Sequence, residues 1–99
     1  MRLTPEQIDT IRATARETFG PEARVWLFGS RVDDHLRGGD LDLLISSDTS
    51  IPDRERKRLG FVARLQLRLG DQPIDALVLD PNVPRQPIHE RALHEGVPL

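Results

Sequence analysis

The sequence predicts an α/β (α+β) domain in which helices pack on a small sheet. Three observations predict it. Apolar residues recur at helical spacing in separate stretches, short runs rich in Val, Ile and Leu lie between those stretches, and Gly or Pro punctuates the boundaries. At 99 residues, 37% hydrophobic and 30% charged, the chain is read as one globular domain, residues 1–99, with little material for a second substrate-binding domain.

Thr4-Pro5-Glu6-Gln7 opens the first helix. Thr4 supplies a capping hydroxyl, Pro5 suits the first helical position, and Gln7 completes a capping box. Ile8, Ile11, Ala15 and Phe19 follow as one apolar stripe, which Gly20-Pro21 ends. Ala23 to Phe28 is apolar, aromatic and too short for a helix, so it reads as a strand. Gly29-Ser30 closes that strand and opens a short helix. Asp40 to Ser46 reads as the second strand. Asp53 to Leu69 is a charged helix, with Leu59, Val62, Leu65 and Leu69 expected on its inner face. Gly60 weakens this helix by about 1 kcal/mol relative to Ala. Pro73 to Leu79 is the third strand, with proline at its first position, where the ladder tolerates one, and Asp80-Pro81 after it. Gln86 to Glu95 forms a final short helix ending at Gly96. Strand directions are not encoded in these patterns.

Composition excludes several classes of function. There is no cysteine, which removes disulfides and thiolate metal sites. The formal net charge is −2, so no global basic field advertises nucleic-acid binding, and direct binding is not expected. No apolar run approaches the ~20 residues of a membrane span, and no signal peptide precedes the first helix pattern, so the expected location is the cytoplasm. His89 and His94 in HERALHE are five apart, not the four that a zinc-binding helix needs. GSRVDDHLRGGD lacks the Gly-Lys-Ser/Thr of a P-loop. The basic stretch Arg54 to Arg68 reads as a solvated helix face, with an acidic partner or nucleic acid as the alternatives. Trp26 and Phe28 read as core residues.

The acids within strands carry the chemistry. Asp40, Asp42 and Leu44 share one strand face, with side-chain origins about 6.5–7 Å apart, while Leu41, Leu43 and Ile45 share the other and enter the core. Asp75 interrupts another apolar strand, PIDALVL. If the two strands pair, three aspartates meet on one patch of sheet. Strands disfavour Asp and like charges repel, so the arrangement costs stability unless a cation fills it. Hard oxygen ligands point to Mg²⁺, with Mn²⁺ possible. Upstream, a permissive Gly29-Ser30 turn at a helix N-terminus presents N–H groups to an anion; Ser30 adds a hydroxyl and Arg31 a charge. A phosphate cradle facing metal-binding carboxylates is equipment for nucleotidyl transfer.

A strand ending in Gly29-Ser30, nine intervening residues, then Asp40-Leu41-Asp42 on the next strand resembles the DNA polymerase β-type nucleotidyltransferase superfamily. The short length resembles its minimal nucleotidyltransferase (MNT) branch. Asp75 extends the resemblance as third carboxylate, and Ile88 to Leu99, with Glu95-Gly96-Val97, is similar to that branch's ending. The resemblance implies a mixed sheet with the site at one edge. It implies that Asp40 and Asp42 bind two Mg²⁺ ions, that Asp75 binds the catalytic metal beside the attacking hydroxyl, and that Gly29 and Ser30 hold a nucleoside triphosphate. It further implies ATP as substrate and a HEPN-domain protein as partner, the chain acting as antitoxin of a toxin–antitoxin pair by placing AMP on a partner hydroxyl. Where the branch continues Ala-Arg-Gly, this chain has Val32-Asp33-Asp34. These two acids favour the alternative, an antitoxin that has lost catalysis and neutralises its toxin by binding.

Overall fold

The computed structural model describes residues 3–29 and 40–99. Helix α1 (Pro5–Phe19) begins where the capping signals place it. Thr4 Oγ1 accepts from the Gln7 N–H at 3.1 Å, and the Gln7 side chain accepts from the Thr4 N–H at 2.9 Å. Strands β1 (Arg24–Phe28) and β2 (Leu41–Ser46) are followed by α2 (Arg54–Leu69), β3 (Ile74–Leu79), α3 (Pro87–Glu95) and a two-residue strand, β4 (Val97–Pro98). The last was not expected from the sequence. The short helix expected after Gly29-Ser30 falls outside the described residues.

The sheet order is β3-β2-β1-β4. β1 runs antiparallel to β2 and β4, while β2 and β3 are parallel. The sheet is therefore mixed, and with helices packed on both faces the fold is the α+β arrangement expected. Parallel pairing of β2 and β3 follows from their connection, since a helix is long enough to return the chain to the same end of the sheet.

One face of the sheet is dry. Val25, Leu27, Leu41, Leu43, Ile45, Ile74, Ala76 and Val78 alternate inward along the strands and pack with Ile11 and Ala15 of α1 and Phe61 and Leu65 of α2. The Phe19 and Phe61 rings meet at 5.3 Å between centroids, tilted by 59°, a favourable aromatic contact between the helices. Arg68 adds a polar tie, donating to Thr14 Oγ1 at 2.7 Å and pairing with Glu17 at 2.9 Å.

Helix α2 corrects one expectation. Leu65 is fully buried, and Val62 and Leu69 pack against the core, but Leu59 is 57% exposed and Phe61 takes the inward position. Phe61, Val62, Leu65 and Leu69 form the helical stripe, and Leu59 stands out of phase with it.

The opposite face is more lightly covered. Leu44, Leu79 and Ala92 of α3 form a second, smaller cluster, with Trp26, Phe28, Leu77, Val83 and Leu93 partly buried around it. Among the described residues no helix is long and apolar enough to cross a membrane.

Candidate active site

Register places the acidic residues on that lighter face. Across the strands Phe28 opposes Asp42 and Asp42 opposes Asp75, while one step along Trp26 opposes Leu44 and Leu44 opposes Leu77. Directly opposed residues share a face. Two rows therefore cross three strands: an apolar row of Trp26, Leu44 and Leu77, and beside it Phe28, Asp42 and Asp75. The first joins the cluster under α3.

Gly29 follows β1 immediately and closes the space above Asp42. Its φ is 78°, a conformation that favours glycine. A Cβ built there would collide with Asp42 Oδ2 and lie 3.1 Å from the carboxyl carbon. Backbone and carboxylate touch because residue 29 has no side chain.

Asp42 is half-buried and its pKa is raised. Burial is the largest cause; the charge of Asp75 comes next, then that of Asp40, and a side-chain hydrogen bond with Asp75 adds to them. Asp75 is exposed on edge strand β3, and Asp40 is exposed just ahead of β2 rather than within it. The structure thus brings Gly29, Asp42 and Asp75 together and leaves Asp40 at the margin, where its charge still reaches Asp42.

Among the described residues none of these aspartates is in an ion pair, and no three His, Cys, Asp or Glu side chains stand ready-gathered to hold a metal. The donor chemistry fits a hard divalent cation all the same. Two hard carboxylates face each other, one of them resists ionisation because of burial and then its acidic neighbours, and a cation would offset that repulsion. Ser30 and Arg31, expected to hold the nucleotide, lie outside the described residues, as do Val32, Asp33 and Asp34.

Two polar residues have structural roles that sequence reasoning missed. Asp80 is buried after β3 and accepts from the Ile51 N–H at 2.8 Å, the Asn82 N–H at 2.9 Å and Arg54 at 3.1 Å. Burial alone would raise its pKa, but these donors outweigh it and hold the carboxyl below the usual range. His89, rejected as a zinc ligand, is buried and accepts the Gln86 N–H at 3.0 Å through Nδ1, closing the start of α3. The signal for this role was local: a histidine three residues past a cap position can serve as its acceptor.

A cavity of about 650 Å³ lies at the far end of β1, lined by Arg12, Arg16, Arg24, Trp26, Glu22 and Asp48 among others. It shares no residue with the Gly29, Asp42 and Asp75 group.

No curated protein matches the chain. The sequence model of the nucleotidyltransferase domain matches residues 8–97, a span that holds β1, β2 and β3 and the whole Gly29, Asp42 and Asp75 group. The chain belongs to the nucleotidyltransferase domain family.

Proposed function

We propose that this nucleotidyltransferase moves AMP from ATP, with Mg²⁺, to a hydroxyl of a HEPN-domain partner protein and so acts as an antitoxin. The observation that carries the chemistry is the direct opposition of Asp42 and Asp75 beside a side-chain-free Gly29. Asp40, Asp42 and Asp75 would hold the metal. When bound, it supplies charge stabilisation to the attacking and leaving oxygens of an in-line displacement at the α-phosphorus.

The chain's own residues do the rest. Gly29 leaves room for the Asp42 carboxylate at the end of β1, and by resemblance Gly29, Ser30 and Arg31 hold the phosphates of the nucleotide. Asp75, the exposed member on the edge strand, orients the incoming hydroxyl and takes up its proton. The new bond joins the acceptor oxygen to the α-phosphorus, the bond to the bridging oxygen breaks, and pyrophosphate leaves. The partner and the adenine base rest on the resemblance to the minimal branch.

Asp33 and Asp34 favour a second reading, in which the chain neutralises its toxin by contact alone, since two acids beside a triphosphate oppose its binding. Co-expression with a HEPN protein, followed by size-exclusion chromatography and intact mass, separates the two. A partner heavier by one or more AMP units supports transfer. A tight complex without added mass, in the presence of ATP and Mg²⁺, supports binding alone.

A further inference from the structure

The outward face of α2 is built for something outside this fold. Leu59, Ala63 and Leu67 form one row at i, i+4 spacing, all exposed, with Leu59 at 57% and Leu67 at 87%. Arg56, Gly60 and Arg64 form the neighbouring row. Residues four apart on a helix stand one above the other, so the two rows lie side by side, one apolar and one cationic. Two small residues, Gly60 and Ala63, sit at the waist between the leucines and between the arginines.

Part of the charge on this helix is spent internally. Arg54 pairs with Asp80, Arg58 with Glu55 and Arg68 with Glu17. Among the described residues Arg56 and Lys57 are in no ion pair, and Arg64 donates only to the neutral Thr18 hydroxyl at 3.0 Å. These three cations and Gly60, with Asp53 at the start of α2, line a groove of about 380 Å³ against Glu17 and Thr18 of α1. A chain of net charge −2 thus gathers three cations that among the described residues are in no ion pair beside two exposed leucines, Leu59 and Leu67.

Gly60 strengthens the case. It lies within the helix, and a Cβ added there would meet nothing within 4 Å. Nothing inside the fold requires glycine at this place, yet glycine weakens a helix interior. Close approach of another backbone accounts for the missing side chain, because small residues at a crossing point let two helices draw together.

We propose that this face docks an amphipathic helix of a different protein, with apolar residues seated on Leu59 and Leu67 and Asp or Glu side chains meeting Arg56, Lys57 and Arg64. Charge complementarity selects that occupant. A second copy packing α2 on α2 would oppose cation to cation, and a nucleic-acid backbone would leave the leucines unused. The surface lies on the layer opposite Asp42 and Asp75, so its occupation leaves the candidate active site open, and the inference stands apart from the transfer reaction.

The test uses the full chain and a fluorescein-labelled synthetic helix of about 18 residues, with leucines on one face and glutamates flanking them. Controls are the same helix with lysines for glutamates and a single-stranded RNA of matching negative charge. Saturable binding of the acidic helix alone is expected. The double variants Leu59→Ser with Leu67→Ser, and Arg56→Glu with Arg64→Glu, should each weaken it about tenfold or more. Gly60→Gln should weaken it while circular dichroism shows the fold intact. Gly60→Ala should raise the melting temperature of the free protein by about 4–8 °C. Absence of saturable binding below about 1 mM would overturn the proposal. So would RNA binding indifferent to the leucine variants, or a self-association that those variants abolish.

Discussion

Asp42 and Asp75 are direct register partners across the parallel pair β2 and β3, and burial, followed by the charge of Asp75, raises the pKa of Asp42. A carboxyl whose folded pKa lies above its unfolded one holds its proton more tightly in the folded state. Stability therefore falls as pH rises through the window above the unfolded value of 3.8, and the metal-free protein at neutral pH carries that loss.

Asp42→Asn removes the charge and keeps the size. In chelator at neutral pH the variant should melt higher than the parent, by at most about 1 kcal/mol, because Asp42 is only half-buried and solvent screens the remainder. The advantage should vanish in acid, where Asp42 of the parent is protonated. Nucleotidyl transfer should fall about a thousandfold or more, as lost metal-centred charge stabilisation is worth several kcal/mol. Thermal melts at two pH values and a transfer assay check this. Lower stability at neutral pH would make Asp42 a structural residue, and unchanged transfer would remove it from the site.

Gly29→Ala attacks the same place from the other strand. The added methyl meets the Asp42 carboxylate, and φ of 78° is strained for any residue with a Cβ. A cost of about 1–3 kcal/mol is expected, with transfer lost beyond what the stability change explains. Doubling the variants is informative: with Asp42→Ala in place the collision disappears and only the backbone strain remains. Equal costs in both backgrounds would show that the contact with Asp42 does not matter.

The sequence made much of this legible. Thr4, Pro5 and Gln7 specify the start of α1 because capping is local chemistry, and the alternation from Leu41 to Ile45 specifies which side chains enter the core. The same-face placement of Asp42 follows from a period of two. Its opposition to Asp75 does not, because register and direction depend on the α2 crossover rather than on either strand. Leu59 was misplaced because three leucines near helical spacing fit an inner stripe, whereas the burial of Phe61 turns the helix so that Leu59 faces out. β4 gives no periodic signal with two residues, one of them proline. Asp80 read as the end of a strand, since two of its donors, Ile51 and Arg54, lie 29 and 26 residues away.

Asp80 should be the most acid-sensitive tie in the fold. Its folded pKa is depressed, so its contribution is present above the unfolded value and is lost as pH falls through the folded value. Asp80→Asn should cost about 3 kcal/mol at neutral pH, because the Arg54 pair is broken at a buried carboxylate and the Ile51 and Asn82 N–H groups lose a charged acceptor. The gap between parent and variant should narrow as pH drops below about 4. Urea unfolding at neutral and acidic pH measures it. A gap independent of pH would assign the cost to lost packing rather than to charge.

Metal and nucleotide should stabilise the protein together and hardly at all apart. Triphosphate and the Asp42 and Asp75 carboxylates are all anionic, so ATP in chelator meets repulsion on the face it must occupy. Mg²⁺ alone meets carboxylates that among the described residues are not gathered into a ready metal cage, so its own affinity should be weak. With both present, each supplies what the other lacks, since the phosphates complete the cation's oxygen shell and the cation offsets the crowded carboxylates. At a hundred times its dissociation constant a ligand stabilises by about 2.7 kcal/mol, roughly 10–20 °C in melting temperature for a domain of this size. Differential scanning fluorimetry with Mg²⁺, ATP, both, and both on Asp42→Asn gives four arms. The joint shift should exceed the sum of the separate ones and collapse in the variant. An equal shift with ATP whether or not a divalent ion is present would show that the nucleotide binds away from these carboxylates.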